Sequence, residues 1–147
     1  MATLERAIAI AAAAHAGQVD KAGAPYILHP LRVMLQMDSE AGRIVGVLHD
    51  VVEDSDWTFD ALAAEGFPAE VVDGLRAVTR NDGEDYEAFV LRAGRDPIGA
   101  GVKLADLRDN SDLSRIAAPT DRDRERLAKY QRAIAVLTGA APDTPAE

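Results

Sequence analysis

The chain has 147 residues, 48% of them hydrophobic but only 5% aromatic, and no cysteine. That length fits one domain with one core, and without thiols neither a disulfide nor a thiolate metal site can form. Sixteen Lys and Arg against 25 Asp and Glu leave a formal charge of −9, which argues against a nonspecific nucleic-acid binder, because that function needs a basic footprint.

No stretch approaches the ~18 apolar residues of a membrane span, and the N-terminus lacks the basic-then-apolar layout of a signal peptide. The expectation is a cytoplasmic protein with no membrane contact. Helices joined by short turns account for the pattern. Thr3 is a predicted N-cap, after which Leu4, Ile8, Ala11 and His15 follow one face until Gly17. His15, on or beside that apolar face, reads as a core histidine held by hydrogen bonds. Residues 18–25 form a loop carrying Asp20 and Lys21. Tyr26-Ile27-Leu28 then leads into His29-Pro30, where the proline suits the first turn of a helix through Leu31, Met34 and Leu35. The dipole at that helix start disfavours the imidazolium, so His29 is either a neutral ligand or a capping and packing histidine.

Ser39 begins a helix whose apolar residues Ile44, Val47, Leu48 and Val51 recur at i, i+3, i+4 and i+7. It carries Leu48-His49-Asp50-Val51-Val52-Glu53-Asp54. Four ionisable groups in so short a buried-faced stretch are costly unless compensated. His49 and Asp50 point about 100° apart and pair poorly with each other, but both reach one point beyond the helix surface. Glu53 and Asp54 lie one turn on, at i+4, as a second acidic tier. A helix-end ion pair is one explanation, and a divalent cation is the other.

Thr58 caps a predicted short helix ending at Gly66, and Pro68 starts another with Val72, Leu75 and Val78 as its stripe. Asn81-Asp82-Gly83 is a turn signal, and Tyr86, Phe89, Val90 and Ala93 mark the next helix, closed by Gly94. Pro97 opens a helix on which Val102, Asp106 and Asn110 share a face. Asp106 is an acid in a largely apolar helix and needs a partner, either a cation or a neighbouring Arg or Lys. Pro119-Thr120-Asp121 starts a last amphipathic helix with Leu127, Tyr130, Ile134 and Leu137. Residues 139–147 read as a frayed tail. With no repeat, strand pair or long linker, the expected fold is a single all-α domain over residues 1–138.

An early histidine, the His49-Asp50 pair and the late Asp106 can supply two imidazoles and two carboxylates to one metal. That mixed nitrogen and oxygen set suits manganese, iron or zinc. The order H…HD…D resembles the HD-domain superfamily of metal-dependent phosphohydrolases. The finer pattern is similar to the hydrolase domain of RelA/SpoT-type alarmone enzymes and to the stand-alone small alarmone hydrolases. Four segments carry it: His15-Ala-Gly-Gln18 with Lys21, Pro25-Tyr-Ile-Leu-His29-Pro30, Leu48-His-Asp-Val-Val-Glu-Asp54, and Val102-Lys-Leu-Ala-Asp106 continuing to Asn110.

The resemblance implies an HD-domain helical bundle with a metal site between helices, spanning roughly Leu4 to Leu137. It assigns the metal, usually Mn2+ with Fe2+ or Zn2+ as alternatives, to His29 rather than His15, with His49, Asp50 and Asp106. It assigns water activation and positioning to Glu53 and Asp54, and nucleotide contacts to Lys21 and Asn110. The implied activity is that of a guanosine-3′,5′-bis(diphosphate) 3′-pyrophosphohydrolase, releasing pyrophosphate from (p)ppGpp. The implied partner is a small phosphorylated nucleotide, not a nucleic-acid polymer.

Three positions depart from that pattern. Asp20 stands where the family has Arg, Ala22 where it has a small hydroxyl residue, and Leu113 where it has Thr. At an effective dielectric of ~20, charges ~6 Å apart interact by roughly 2–3 kcal/mol. Exchanging a cation for an anion at position 20 is therefore expected to weaken polyanion binding unless Arg32, Lys103 or Arg108 compensates, which makes Lys103 a third candidate substrate contact. The alternatives are an HD phosphohydrolase acting on another small phosphorylated nucleotide, and a non-catalytic sensor of metal and nucleotide. Glu53 and Asp54 favour the enzyme, since a binder needs no second acidic tier.

Overall fold

Nine α-helices make up the computed structural model, which describes residues 2–139. They are α1 (Leu4–Ala14), α2 (Leu28–Leu35), α3 (Glu40–Leu48), α4 (Val51–Asp54), α5 (Phe59–Ala64), α6 (Ala69–Ala77), α7 (Tyr86–Gly94), α8 (Gly99–Asn110) and α9 (Asp121–Thr138). Among the described residues β pairing is confined to one isolated bridge, Val19 with Pro25, so the fold is all-α as expected. Apart from Gly139, the expected tail lies outside the described residues. None of the described helices is long and apolar enough to cross a membrane.

The helix starts follow from local chemistry. The hydroxyls of Thr3, Ser39 and Thr58 accept from the backbone N–H of Arg6, Gly42 and Ala61 at 3.1, 3.0 and 3.0 Å, each satisfying a donor that the helix itself cannot. Thr120 and Asp123 close a reciprocal capping box at the head of α9. One start, one added turn and one break differ from the sequence reading. α8 begins at Gly99, not Pro97, because the Asp96 carboxylate accepts from the N–H groups of Ile98 and Gly99 at 3.0 and 2.7 Å. A 3-10 turn at Leu113–Arg115, capped by Asp112, follows α8 and was not anticipated. The helix expected to run through His49 and Asp50 breaks there. His49 Nδ1 donates to the Gly46 carbonyl at 2.6 Å, the acceptor that the Asp50 N–H would use in an unbroken helix.

The main core gathers Ile10 of α1, Val33 of α2, Val45, Val47 and Leu48 of α3, Leu62 of α5, Val71 and Leu75 of α6, and Val102 of α8. Each such side chain is worth about 1.5–3 kcal/mol of burial. A smaller cluster packs Val90 of α7, Leu107 of α8 and Ala133 of α9. α8 therefore lies between two apolar clusters, with Val102 and Ala105 in one and Leu107 in the other. Its remaining buried face carries Lys103, Asp106 and Asp109.

Gly46 sets the approach of α3 to α2. A Cβ there would meet the Met34 Cα at 3.2 Å and its backbone nitrogen at 3.3 Å. This close crossing brings the rings of His29 and His49 to a centroid separation of 5.1 Å. Gly46→Leu is therefore expected to cost at least the ~1–3 kcal/mol of overpacking and to part the two rings. Thermal unfolding reads the first effect, and metal titration reads the second.

Candidate metal centre and the cavity beside it

α2, the α3–α4 break and α8 each deliver polar side chains to one buried point. His29 Nε2 lies 2.9 Å from Asp106 Oδ1 and 3.8 Å from Asp50 Oδ2. His49 Nε2 lies 3.2 Å from Asp50 Oδ2 and 3.3 Å from Asp106 Oδ1. One ligating atom each from His29, His49 and Asp50 fall within 4.8 Å of one another, so these side chains can hold a metal ion.

The outer nitrogens decide what the inner ones offer. A backbone carbonyl only accepts, so His49 Nδ1 must carry the proton it shares with Gly46. His29 Nδ1 faces the Asp109 carboxylate at 2.7 Å and is likewise the donor. Both rings thus turn Nε2 toward the carboxylates, the tautomer a metal ligand needs. Two Nε2 lone pairs against two anions demand a cation, either a proton on the ring or a metal between them. Burial opposes the imidazolium of His49, yet the charges of Asp50 and Asp106 hold its pKa well above the ordinary value. Burial would likewise raise Asp106, but Lys103 and the two histidines keep it well below the carboxylate range. The donor set, its tautomers and its net demand for positive charge fit a divalent ion.

The surroundings restrain each carboxylate. Tyr26 donates its hydroxyl to Asp50. Asp106 takes Lys103 Nζ on Oδ2 and Asn110 Nδ2 on Oδ1, both at 3.1 Å. Both partners proposed for Asp106 from the sequence are thus in reach: a neighbouring Lys and a site for a cation. Glu53 and Asp54 sit at the exposed edge of the site. Partial withdrawal from water and the charge of Asp50 raise both above their usual values, which suits a group that must accept a proton. His15 is buried outside the cluster, bonded through Nδ1 to Gln18 Oε1 at 2.8 Å and packed on Tyr26.

A cavity of about 280 Å³ opens beside the cluster, and Tyr26 and His29 form part of its wall. Lys21, Arg32, Arg115 and Arg126 line it with Asn110, Leu113 and Tyr130, beside Asp20, Asp109, Asp112 and Asp123. Three of the cations are ion-paired there: Arg32 to Asp109, Arg115 to Asp112 and Arg126 to Asp123. Lys21 and Asn110 therefore stand where a ligand would contact them. Lys103 does not line it; its ammonium is buried on Asp106 and lies 4.6 Å from the Phe89 ring centroid. Asp20 lines the cavity, but its Oδ1 accepts from the N–H groups of Ala22 and Ala24, both at 2.9 Å, closing the loop that carries Lys21.

Sequence reasoning gave no role to Tyr26, Asp109, Arg115 or Arg126. Asp109 had a signal, because it follows Asp106 by three residues on a helix and so shares its side. The arginines had none, since they reach the cavity from the 3-10 turn and α9.

No family model matches the chain. It is 33% identical over 139 residues to a probable GTP pyrophosphokinase of Mycobacterium leprae, covering 85% of this chain and 17% of that protein. It is 35% identical over 135 residues to the guanosine-3′,5′-bis(diphosphate) 3′-pyrophosphohydrolase of Haemophilus influenzae, covering 82% of this chain and 20% of that protein. The chain thus spans about a fifth or less of the length of these curated relatives. Among solved structures it superposes with a TM-score of 0.76 on a metazoan ortholog of SpoT described as hydrolyzing ppGpp. Identity there is 24%, over 98% of this chain and 88% of that one, and the likeness is one of fold.

The helical architecture and the histidine–carboxylate cluster between α2, α3 and α8 define an HD-type domain. Within that class the chain is a relative of the RelA/SpoT-type alarmone enzymes.

Proposed function

We propose that this protein is a metal-dependent phosphohydrolase that cleaves guanosine 3′,5′-bis(diphosphate) to GDP and pyrophosphate. The observation that carries the reading is two inward Nε2 atoms and two carboxylates beside a polar cavity whose wall holds four cations and four aspartates. On this reading His29, His49, Asp50 and Asp106 hold the ion; their mixed nitrogen and oxygen donors suit manganese, iron or zinc alike, and the family resemblance favours Mn2+. When bound, a divalent ion lowers the pKa of water and neutralises charge on phosphoryl oxygens.

The chain's own groups supply the rest. Glu53, with its raised pKa, takes the proton from the attacking water, and Asp54 fixes that water's orientation. Lys21, Arg115 and Arg126 draw in the phosphates, while Asn110 and Tyr130 face the nucleoside. Phosphoryl transfer needs mainly positioning and charge stabilisation, so few further groups are required. The overall charge of −9 fits a small nucleotide better than a nucleic-acid polymer, which needs a basic footprint. The test is to incubate purified protein with Mn2+ and ppGpp and follow both products. Pyrophosphate and GDP released in equal amounts support the reading, and no release with any divalent metal overturns it.

Asp20 gives a second check. As the closing acceptor of its loop it cannot be exchanged freely for a cation. Asp20→Asn keeps an oxygen for both bonds and removes one negative charge from the cavity wall. It is expected to raise kcat/KM for ppGpp several-fold, chiefly through KM, with the gain fading as salt screens the site over ~10 Å at 0.1 M. Asp20→Arg loses both bonds, each worth about 0.5–1.5 kcal/mol, and is expected to do worse than Asn. Kinetics of both variants at low and high salt decide the order.

A further inference from the structure

We infer that Asp109 is a positioning residue for His29, held in turn by Arg32, so that one hydrogen-bonded chain runs from the cavity wall to the metal centre. This rests on the metal reading above and adds to it the group that aims one of its ligands. The Asp109 carboxylate is 7% exposed and faces His29 Nδ1 at 2.7 Å through Oδ2. Arg32 grips both of its oxygens, Nε to Oδ1 at 2.7 Å and Nη2 to Oδ2 at 3.0 Å. That fork-on-carboxylate geometry fixes direction as well as charge. Arg115 adds a bond to the Asp109 backbone carbonyl at 3.0 Å.

The consequence for His29 is specific. An imidazole whose Nδ1–H is claimed by a fixed carboxylate keeps one tautomer and one ring orientation, with Nε2 free for the metal. His29 and Asp106 reach the centre from different helices, α2 and α8, whereas Asp109 lies on α8 with Asp106. The Asp109–His29 bond therefore registers one ligand-bearing helix against the other. Arg32 lies one turn after His29 on α2 and pins the same carboxylate from the cavity side. Two of its donors serve Asp109, so it acts on the centre through Asp109 even where it also meets a ligand.

The experiment is an Mn2+ titration of four proteins: wild type, Asp109→Asn, Arg32→Ala and the double variant. Asp109→Asn is expected to weaken Mn2+ binding by about 10–100-fold, the usual effect of losing such an outer partner. Arg32→Ala should weaken it by a smaller factor, and the double variant should bind no more weakly than Asp109→Asn, because Arg32 works only through Asp109. In the Zn2+-loaded protein the His29 Nδ1–H proton should give a downfield resonance that moves on either substitution. A merely structural role would not produce that shift in a folded variant. Wild-type affinity in Asp109→Asn overturns the inference, as does an Arg32→Ala effect of equal size with and without Asp109. If Asp109→Asn does not fold, Arg32→Ala decides alone, and unchanged Mn2+ affinity with an unmoved resonance overturns it. A wild-type chain that takes up no Mn2+ overturns the metal reading and this inference together. Normal uptake by wild type and Asp109→Asn alike sinks the inference only.

Discussion

Asp106→Asn is expected to abolish metal binding and to lower stability at once. Its Oδ1 lies within 3.3 Å of both inward Nε2 atoms, so the amide removes the charge at the point where the two histidines meet. Metal affinity should fall by more than the about 10–100-fold typical of outer partners. The same change leaves Lys103 buried without its anion, since its ammonium sits 3.1 Å from Asp106 Oδ2. Breaking one half of a buried pair typically costs about 3–5 kcal/mol, which in a chain of this length lowers Tm by roughly 6–20 °C. Elemental analysis after dialysis against Mn2+ and calorimetry of the metal-free proteins separate the two effects. Unchanged metal content would remove Asp106 from the ligand set. An unchanged Tm would show that Lys103 finds other company.

The two effects have different visibility in the sequence, and the difference is physical. That Asp106 needs a partner was readable, because a carboxylate within Val102, Ala105 and Leu107 cannot stay buried and charged alone. Helix starts at Thr3, Ser39, Thr58 and Thr120 were readable for the same reason: each cap acts over three residues. The break at His49 was not, since an apolar period running from Ile44 to Val51 carries no sign that a side chain will take the Gly46 carbonyl. The bond from His29 to Asp109 spans 80 positions, and no local pattern encodes it. Lys103 illustrates a third case. Beside a phosphate site a lysine reads as a substrate contact, and only the packing of α7 against α8 turns its ammonium onto Phe89 and Asp106. Charge alone does not reveal the second role of Asp20. Its spacing to Ala22 and Ala24, ahead of Gly23 with φ 84°, is that of a loop-closing aspartate.

Glu53→Gln is expected to leave metal binding nearly intact while lowering turnover by about 10²–10⁴, the usual worth of general acid–base catalysis. The expectation follows from where Glu53 stands. It lies on α4, beyond the break that separates it from α3, and is exposed, whereas His49 is buried at the centre. Its carboxyl is raised by partial burial and by Asp50 and Asp54, not by any partner that it must balance. Substitution therefore removes a proton acceptor without leaving a buried charge uncompensated, and Tm should hardly move. The break matters here: because α4 is a separate single turn, Glu53 can adjust toward the water without dragging His49 from Asp106. Single-turnover rates with Mn2+ in excess, beside a metal titration of the same variant, distinguish the outcomes. A variant that turns over as fast as wild type removes Glu53 from the mechanism and leaves Asp54, whose pKa is raised by the same burial and the same neighbour, to take the proton. A variant that loses both metal and turnover places Glu53 among the ligands instead.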